Sequence, residues 1–120
     1  MGLWIRRFTV IAYCLLIFFL SSQKIPQEMP GFPGMDLIIH FFEYGFLAFL
    51  LCWMLSEESA AFLKKNLFII TWLLTVCYGI SDEIHQAFVP TRQMSLWDLL
   101  ADTLGATAVV LMIAFRDYEP

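Results

Sequence analysis

Four long apolar stretches constrain this chain more than any other feature of its sequence. They cover residues 4–20, 36–55, 67–89 and 96–115, and short segments connect them. A helix needs roughly 20 mainly apolar residues to cross a hydrocarbon core of about 30 Å, and each stretch is close to that length. The apolar residues run continuously and do not alternate with polar ones, which excludes the strands of a membrane barrel. We therefore predict an all-α, polytopic membrane protein with a four-transmembrane-helix bundle.

The composition agrees with this fold and excludes other classes of protein. Hydrophobic residues make up 60% of the 120 residues and charged residues 15%, whereas soluble domains contain about 45–50% and about 25%. A small soluble domain could not bury so much apolar surface, and a disordered chain would contain less of it. The net charge of −4 provides no basic surface, so we expect no nucleic acid partner. We predict one domain over residues 1–120, with the lipid bilayer as its partner.

The distribution of basic residues predicts how the bundle is oriented. Lys24 and Arg92 lie in connections on one side of the bilayer. The other Lys and Arg residues flank the spans on the opposite side: Arg6, Arg7, Lys64, Lys65 and Arg116. Basic residues are enriched in cytoplasmic segments. We therefore predict that both termini are cytoplasmic (N-in/C-in) and that Lys24 and Arg92 face outward.

The first span has two features of a signal peptide, a pair of arginines and an apolar core. Leu20 occupies a position where a cleavage site requires a small residue, so we predict a retained anchor. Cys14, Cys52 and Cys77 all fall inside spans, and an odd number at membrane depth argues against a disulfide framework. We expect them to pack as small apolar residues.

Polar and ionisable residues within three of the spans are the main indication of function. A charge at the centre of the bilayer costs about 3 kcal/mol on insertion scales. A helical rise of about 1.5 Å per residue, with alternating helix directions, puts these residues in one layer roughly 3–10 Å below the outer surface. They also share a face of each helix, with the Arg92 turn directly above them. The predicted ligand-binding pocket contains His40, Glu43, Tyr44, Asp82, Glu83, His85, Gln86, Arg92, Ser95, Asp98 and Asp102.

Simpler explanations account for part of this pattern. Polar side chains can join helices by hydrogen bonds. Asp36, near the start of its span, is expected to act as a helix cap. Asp98 is close enough to the interface to extend towards water. These explanations do not account for the acids that lie at similar depth in three helices, namely Glu43, Asp82, Glu83 and Asp102.

Three routes would allow so many acids to coexist, and the sequence leaves all three open. The first is protonation, which burial and neighbouring like charges favour. The second is pairing with Arg92, whose guanidinium can bind a carboxylate at two points. The third is a bound divalent cation. The metal candidates are two pairs spaced one helical turn apart, His40 with Glu43 and Asp82 with His85.

Several motifs in these segments resemble those of the VanZ-like family of small membrane proteins. The resemblance extends over nearly the whole chain. Thr91 stands where the family often has Gly, which puts the turn holding Arg92 in question, and Asp102 stands where Asn is common. The motifs are Ser21-Ser22-Gln23, His40-Phe41-Phe42-Glu43-Tyr44, Ser81-Asp82-Glu83-Ile84-His85-Gln86, Phe88-Val89-Pro90, Arg92, Ser95, Asp98 and Asp102-x-x-Gly105-Ala106.

The resemblance implies a multi-pass protein of the bacterial cytoplasmic (inner) membrane. The family's namesake confers low-level resistance to teicoplanin, a glycopeptide that binds peptidoglycan precursors outside the cell. No reaction is firmly attached to the family. An outward-facing polar pocket is compatible with binding a polar or anionic headgroup, a lipid-linked envelope precursor or a glycopeptide-related ligand. Our first hypothesis is therefore a non-enzymatic, envelope-associated protein with a link to glycopeptide resistance.

Two other classes of function remain as alternatives. An intramembrane hydrolase or transferase would use acid–base or metal-assisted chemistry, with His85, Asp82 and Glu43 as catalytic candidates. A proton- or ion-coupled transporter ranks last, because the inner halves of the spans lack ionisable residues and so provide no continuous pathway. Neither the ligand nor the oligomeric state follows from the sequence.

Overall fold

The computed structural model describes residues 2–24, 31 and 33–118, and this part of the chain forms five helices. Four of them are long and apolar enough to cross a membrane. The fifth is a single short helix between the second and third spans. In chain order the helices are α1 (Leu3–Ser21), α2 (Met35–Leu55), α3 (Ala61–Lys65), α4 (Leu67–Gln86) and α5 (Leu96–Asp117). The prediction of an all-α bundle with four spans is confirmed.

The helices differ from the predicted spans by more than two residues at two places. The third span was expected to continue to residue 89, but α4 ends at Gln86. Pro90 explains this end, because a proline ring in a continuing helix would clash with the carbonyl group four residues earlier. Phe88 and Val89 instead donate backbone hydrogen bonds to carbonyls three residues back, as in tight turns. The other difference is α3, which occupies a segment that the sequence predicted as a polar connection.

The outer surface of the bundle is apolar. Large hydrophobic side chains are exposed on each of the long helices, among them Phe8, Phe42, Ile84, Leu104 and Phe115. Soluble proteins rarely expose contiguous apolar surfaces of this kind. This surface suits acyl chains and agrees with a multi-pass membrane protein.

Helix α2 lies at the centre of the bundle and contacts the other three long helices, with its most extensive contact against α5. Gly45 and Gly105 make this close approach possible. A Cβ atom on Gly105 would overlap the carbonyl oxygen of Phe41, and one on Gly45 would lie 3.3 Å from the carbonyl oxygen of Gly105. Small residues allow membrane helices to pack backbone against backbone in this way.

Helix α1 is joined to the rest of the bundle by tyrosine hydroxyl groups. Tyr13 donates to the carbonyl oxygen of Glu43 on α2 at 2.9 Å, and Tyr78 of α4 donates to the carbonyl oxygen of Cys14 at 2.6 Å. Val10 and Ile17 complete the contact by packing into an apolar cluster with residues of α2.

Two arginines fasten the start of α1 to the segment that follows α2. Arg6 pairs with Glu57 at 3.0 Å, and Arg7 pairs with Glu58 at 2.7 Å. The Arg6 guanidinium also lies over the ring of Trp53. These contacts are at the end of the bundle predicted to be cytoplasmic; the orientation in the membrane stays a prediction.

Candidate functional site

A cluster of polar side chains lies at the opposite end of the bundle, where α2 and α5 begin and α4 ends. Because α4 runs opposite to α2 and α5, residues near the start of two helices meet residues near the end of the third. Most of the cluster is buried, although Glu43 and Asp98 are partly exposed. We call this cluster the polar layer, and it comprises His40, Glu43, Tyr44, Asp82, Glu83, Gln86, Asp98 and Asp102.

One histidine stands between two acids of α5. His40 Nδ1 lies 2.8 Å from Asp102 Oδ1, and its Nε2 lies 3.7 Å from Asp98 Oδ2. Asp98 and Asp102 are one helical turn apart, so both can reach the same imidazole, each at a different ring nitrogen. An ionised carboxylate can only accept hydrogen bonds. With Asp102 ionised, Nδ1 carries the proton of a neutral ring and the Nε2 lone pair remains available.

Asp82 is held by two neutral donors. The Tyr44 hydroxyl donates to Asp82 Oδ2 at 3.1 Å, and Gln86 Nε2 donates to the same oxygen at 3.3 Å. Gly79 makes room for this arrangement, since a Cβ there would lie 3.1 Å from Asp102 Oδ2 and 3.3 Å from the Tyr44 ring. The missing side chain thus lets groups from α2 and α5 pack against α4.

Glu83 is fully buried, and only half of its carboxylate is bound. The backbone N–H of Ser95 donates to Oε2 at 2.8 Å. Within residues 2–24, 31 and 33–118, neither Glu83 Oε1 nor Asp102 Oδ2 has a hydrogen-bond partner. Buried polar atoms are normally satisfied, because an unpaired one loses its hydration without compensation. The polar layer therefore contains two buried acceptor atoms without a hydrogen-bond partner among the described residues.

A cavity of about 350 Å³ lies beside the polar layer. Its wall combines apolar, acidic and basic side chains, whereas a second cavity of about 280 Å³, between α2 and α5, has an apolar lining. The larger cavity is lined by Ile17, Leu20, Ser21, Gln23, Lys24, Asp36, Ile39, His40, Glu43, Asp82, Gln86 and Arg92. The residues from the end of α1 and just beyond it, Ile17, Leu20, Ser21 and Gln23, were not predicted as pocket residues, because residues 8–23 contain no acidic or basic side chain.

Asp36 was expected to cap its helix, and the structure places it differently. The N-cap residue of α2 is Gly34, with φ of 85°, and the N-terminus has no side-chain cap hydrogen bond. Asp36 lies in the first helical turn, where a carboxylate suits the helix dipole, and it lines the cavity.

Arg92 binds the end of α1. Its Nε donates to the carbonyl oxygen of Gln23 at 2.9 Å, and its Nη2 donates to that of Leu20 at 3.2 Å. The last carbonyls of a helix lack partners within the helix, and a cation there is favoured by the dipole. No carboxylate of the described residues lies within ion-pair distance of Arg92. Of the three ways in which the acids could coexist, pairing with Arg92 is therefore not observed among these residues.

The turn that presents Arg92 has the backbone of a glycine turn. Thr91 has φ of 72°, a left-handed conformation that β-branched residues rarely adopt. The N–H of Arg92 donates to the carbonyl oxygen of Val89 at 3.1 Å and closes the turn. Thr91 therefore adopts a conformation that suits glycine, at the cost of local strain.

His85 faces α1 and not the polar layer. Its Nε2 lies 2.8 Å from the hydroxyl of Ser22, and its ring stacks on Phe18 with centroids 4.4 Å apart. The predicted pairing of His85 with Asp82 is thus not seen, since the two side chains contact different neighbouring helices. Spacing along α4 put both on one stripe but could not show that α1 lies beside one edge of it.

The ligand atoms best placed for a metal ion come from three helices. His40, Glu83 and Asp98 each offer one ligand atom, and these atoms lie within 4.8 Å of one another. Of the metal candidates chosen from the sequence, only His40 belongs to this set. Glu43, Asp82 and His85 are not in it.

Comparison with known proteins agrees with the membrane fold. The family model described as VanZ/LLP1 matches residues 7–116. No curated protein and no solved structure matches the chain. Since the match covers nearly all of the sequence, including the four spans and the polar layer, the chain belongs to the VanZ/LLP1 family.

Proposed function

We propose that this protein binds the polar, anionic headgroup of an envelope lipid or lipid-linked cell-wall precursor in the cavity beside the polar layer. The observation that carries the proposal is the mixed lining of this cavity. Basic groups, acidic groups and lipid-like apolar groups all contribute to one wall. A headgroup joined to acyl chains requires this combination.

The basic groups suit a phosphate. Lys24 and Arg92 both line the cavity. Arg92 uses two of its N–H groups on carbonyl oxygens of α1, and a guanidinium has five N–H donors in a fixed plane. The remaining donors can bind phosphate oxygens, and charge-assisted hydrogen bonds of this kind are among the stronger ones.

The acidic groups suit hydroxyl or ammonium donors on the same headgroup. Glu43 and Asp82 line the cavity from α2 and α4. Ile17, Leu20 and Ile39 supply apolar surface next to these polar groups. A water-soluble phosphate compound would leave that surface uncovered, so we favour a lipid.

Lipid binding can be measured with matched charge variants. We would purify the protein in mild detergent, quantify co-purifying lipids by mass spectrometry, and compare Arg92→Gln and Lys24→Gln with Lys64→Gln. Lys64 is exposed in α3, outside the cavity. Each cavity variant is expected to retain about fivefold less anionic lipid, since one basic contact near a membrane surface contributes about 1 kcal/mol. Equal lipid content in all four proteins would refute the proposal.

The link to glycopeptide resistance needs a cellular test. Teicoplanin susceptibility would be measured in a bacterial host that expresses the wild type, Arg92→Gln or Lys64→Gln at equal membrane levels. The proposal predicts that the wild type and Lys64→Gln lower susceptibility and that Arg92→Gln does not. Equal susceptibility with all three proteins would refute the link between headgroup binding and glycopeptide resistance.

A hydrolase or transferase is the second candidate, and one observation favours it. His40 lines the cavity while Asp102 holds its ring, an arrangement that suits a general base. His40 then takes the role that the sequence suggested for His85. If hydrolysis occurs, incubating the protein with its co-purified lipid should yield two fragments whose combined mass equals that of the lipid plus one water. The fragments should be missing with His40→Gln; a wild type that leaves the lipid intact excludes this candidate.

A further inference from the structure

Three side chains from α2, α4 and α5 bring ligand atoms within 4.8 Å of one another in the polar layer. We propose that His40, Glu83 and Asp98 bind one divalent transition-metal ion of the zinc type. His40 Nε2 and Asp98 Oδ2 are 3.7 Å apart, and two ligands of a tetrahedral zinc ion are about 3.4 Å apart at the usual bond lengths. The third ligand atom, from Glu83, lies within 4.8 Å of the other two, and the proposal requires the three side chains to move closer when the ion binds.

Glu83 supplies the observation that points to a ligand. Its side chain is fully buried, and Ser95 N–H already binds Oε2 at 2.8 Å. Oε1 has no partner in the part of the chain that the structure describes. A buried carboxylate oxygen that is neither hydrogen-bonded nor paired is costly. Coordination of a cation by Oε1 would remove this cost.

Asp102 orients the imidazole as carboxylates do in known metal sites. Metal-binding histidines usually donate their second ring N–H to a carboxylate, a carbonyl or water. Here Asp102 Oδ1 accepts from His40 Nδ1 at 2.8 Å, which directs Nε2 towards Asp98. Asp102 is therefore a positioning residue, and the ligand nitrogen is Nε2.

The charges of the polar layer also favour a cation. Its acids have no ion pair with Lys or Arg among the described residues, and only His40 is within ion-pair distance of any of them. A divalent ion would offset two negative charges in a layer whose side chains are mostly buried. The acids of the layer are Glu43, Asp82, Glu83, Asp98 and Asp102.

The donor set selects the class of metal. One imidazole nitrogen and two carboxylates suit zinc and similar transition metals, whereas calcium and magnesium prefer oxygen ligands alone. This inference does not depend on lipid binding, because all three ligands belong to the protein. The metal measurements would be made in lipid-free detergent, and the lipid measurements on protein stripped with EDTA, so the two proposals can fail separately.

The test is a metal titration of the full chain carrying an affinity tag without histidines. After treatment with EDTA, the wild type should bind one Zn²⁺ per chain by calorimetry and elemental analysis. It should also bind one Co²⁺ with visible absorption bands of low-coordinate cobalt. Calcium should bind at least tenfold more weakly. A wild type that binds no Zn²⁺, or binds calcium equally well, would overturn the assignment.

The variants identify the ligands. His40→Gln, Glu83→Gln and Asp98→Asn should each lower Zn²⁺ affinity at least tenfold. Asp102→Asn should lower it about 10- to 100-fold and shift the Co²⁺ bands while one ion still binds, as expected for a positioning residue. His85→Gln is the matched control, because that histidine binds Ser22 on α1. Loss of binding in His85→Gln, or full binding in His40→Gln, would refute the proposed ligand set.

Discussion

Asp102 of α5 accepts a 2.8 Å hydrogen bond from His40 of α2, and both side chains are buried. This bond crosses the most extensive helix contact in the bundle. It shows that an acid at position 102, where the resemblance to the family suggests Asn, has a defined partner within the protein.

The first prediction concerns this bond. Asp102→Ala should destabilise the protein by about 1–3 kcal/mol, because it leaves a buried imidazole N–H without a partner. Asp102→Asn retains an amide oxygen that can accept the bond, so its loss should be smaller. Thermal unfolding in detergent, followed by circular dichroism, would measure both. If Asn and Ala destabilised the protein equally, the hydrogen bond would not be the reason for the loss.

The second prediction concerns the contact of α2 with α5. Gly105→Ala places a methyl group against the Phe41 carbonyl oxygen and should force the helices apart. The expected loss is about 3 kcal/mol, at the upper end of the usual cost of overpacking. Gly2→Ala is the control, since a Cβ there has no atom within 4 Å.

Cysteines introduced on facing positions of α2 and α5 would show the same effect directly. Their disulfide should form readily in the wild-type background and poorly in Gly105→Ala. Equal cross-linking in the two backgrounds would contradict the close approach of these helices.

The third prediction concerns the turn before Arg92. Thr91→Gly should raise thermal stability, because glycine adopts φ of 72° without the cost of about 1–2 kcal/mol that other residues incur. The greater freedom of glycine in the unfolded chain offsets part of this gain, roughly 0.5–1 kcal/mol. Thr91→Pro should lower stability, since proline fixes φ near −65°. Unfolding midpoints in the reverse order would show that the turn is not left-handed in the membrane.

The fourth prediction tests the orientation. In a variant without the native cysteines, Lys24→Cys should react with a membrane-impermeant maleimide in intact cells, and Lys64→Cys should react only after lysis. The distribution of Lys and Arg predicts this difference. Labelling of Lys64→Cys in intact cells would place the polar layer at the cytoplasmic face and would require a different ligand from the one proposed.

The sequence was sufficient to predict the four long helices and the grouping of polar residues near one end of them. Helix formation in a bilayer depends on local hydropathy and length, and neighbouring spans must alternate in direction. Together they predict that His40, Asp82 and Asp102 lie near the same membrane surface. They also separated the lipid-facing aromatic residues from the polar side chains.

The partners of these groups depended on tertiary packing. Periodicity gives the angle between two residues on one helix, but it does not say which helix lies beside each of them. The spacing therefore predicted that His85 and Asp82 act as a pair, whereas the His85 side chain binds Ser22 at the end of α1. The sequence pattern also could not predict that Glu83 Oε1 has no partner among the described residues or that Lys24 lines the cavity.

The sequence by itself predicted four helices long and apolar enough to span a membrane, their alternating direction and a set of polar residues at one end of the bundle, because these follow from the hydropathy and length of each segment. Only the tertiary structure decided that His40, Glu83 and Asp98 converge while His85 points away. The physical reason is the close packing of α2 on α5 at Gly45 and Gly105, which sets how far each helix is rotated about its axis.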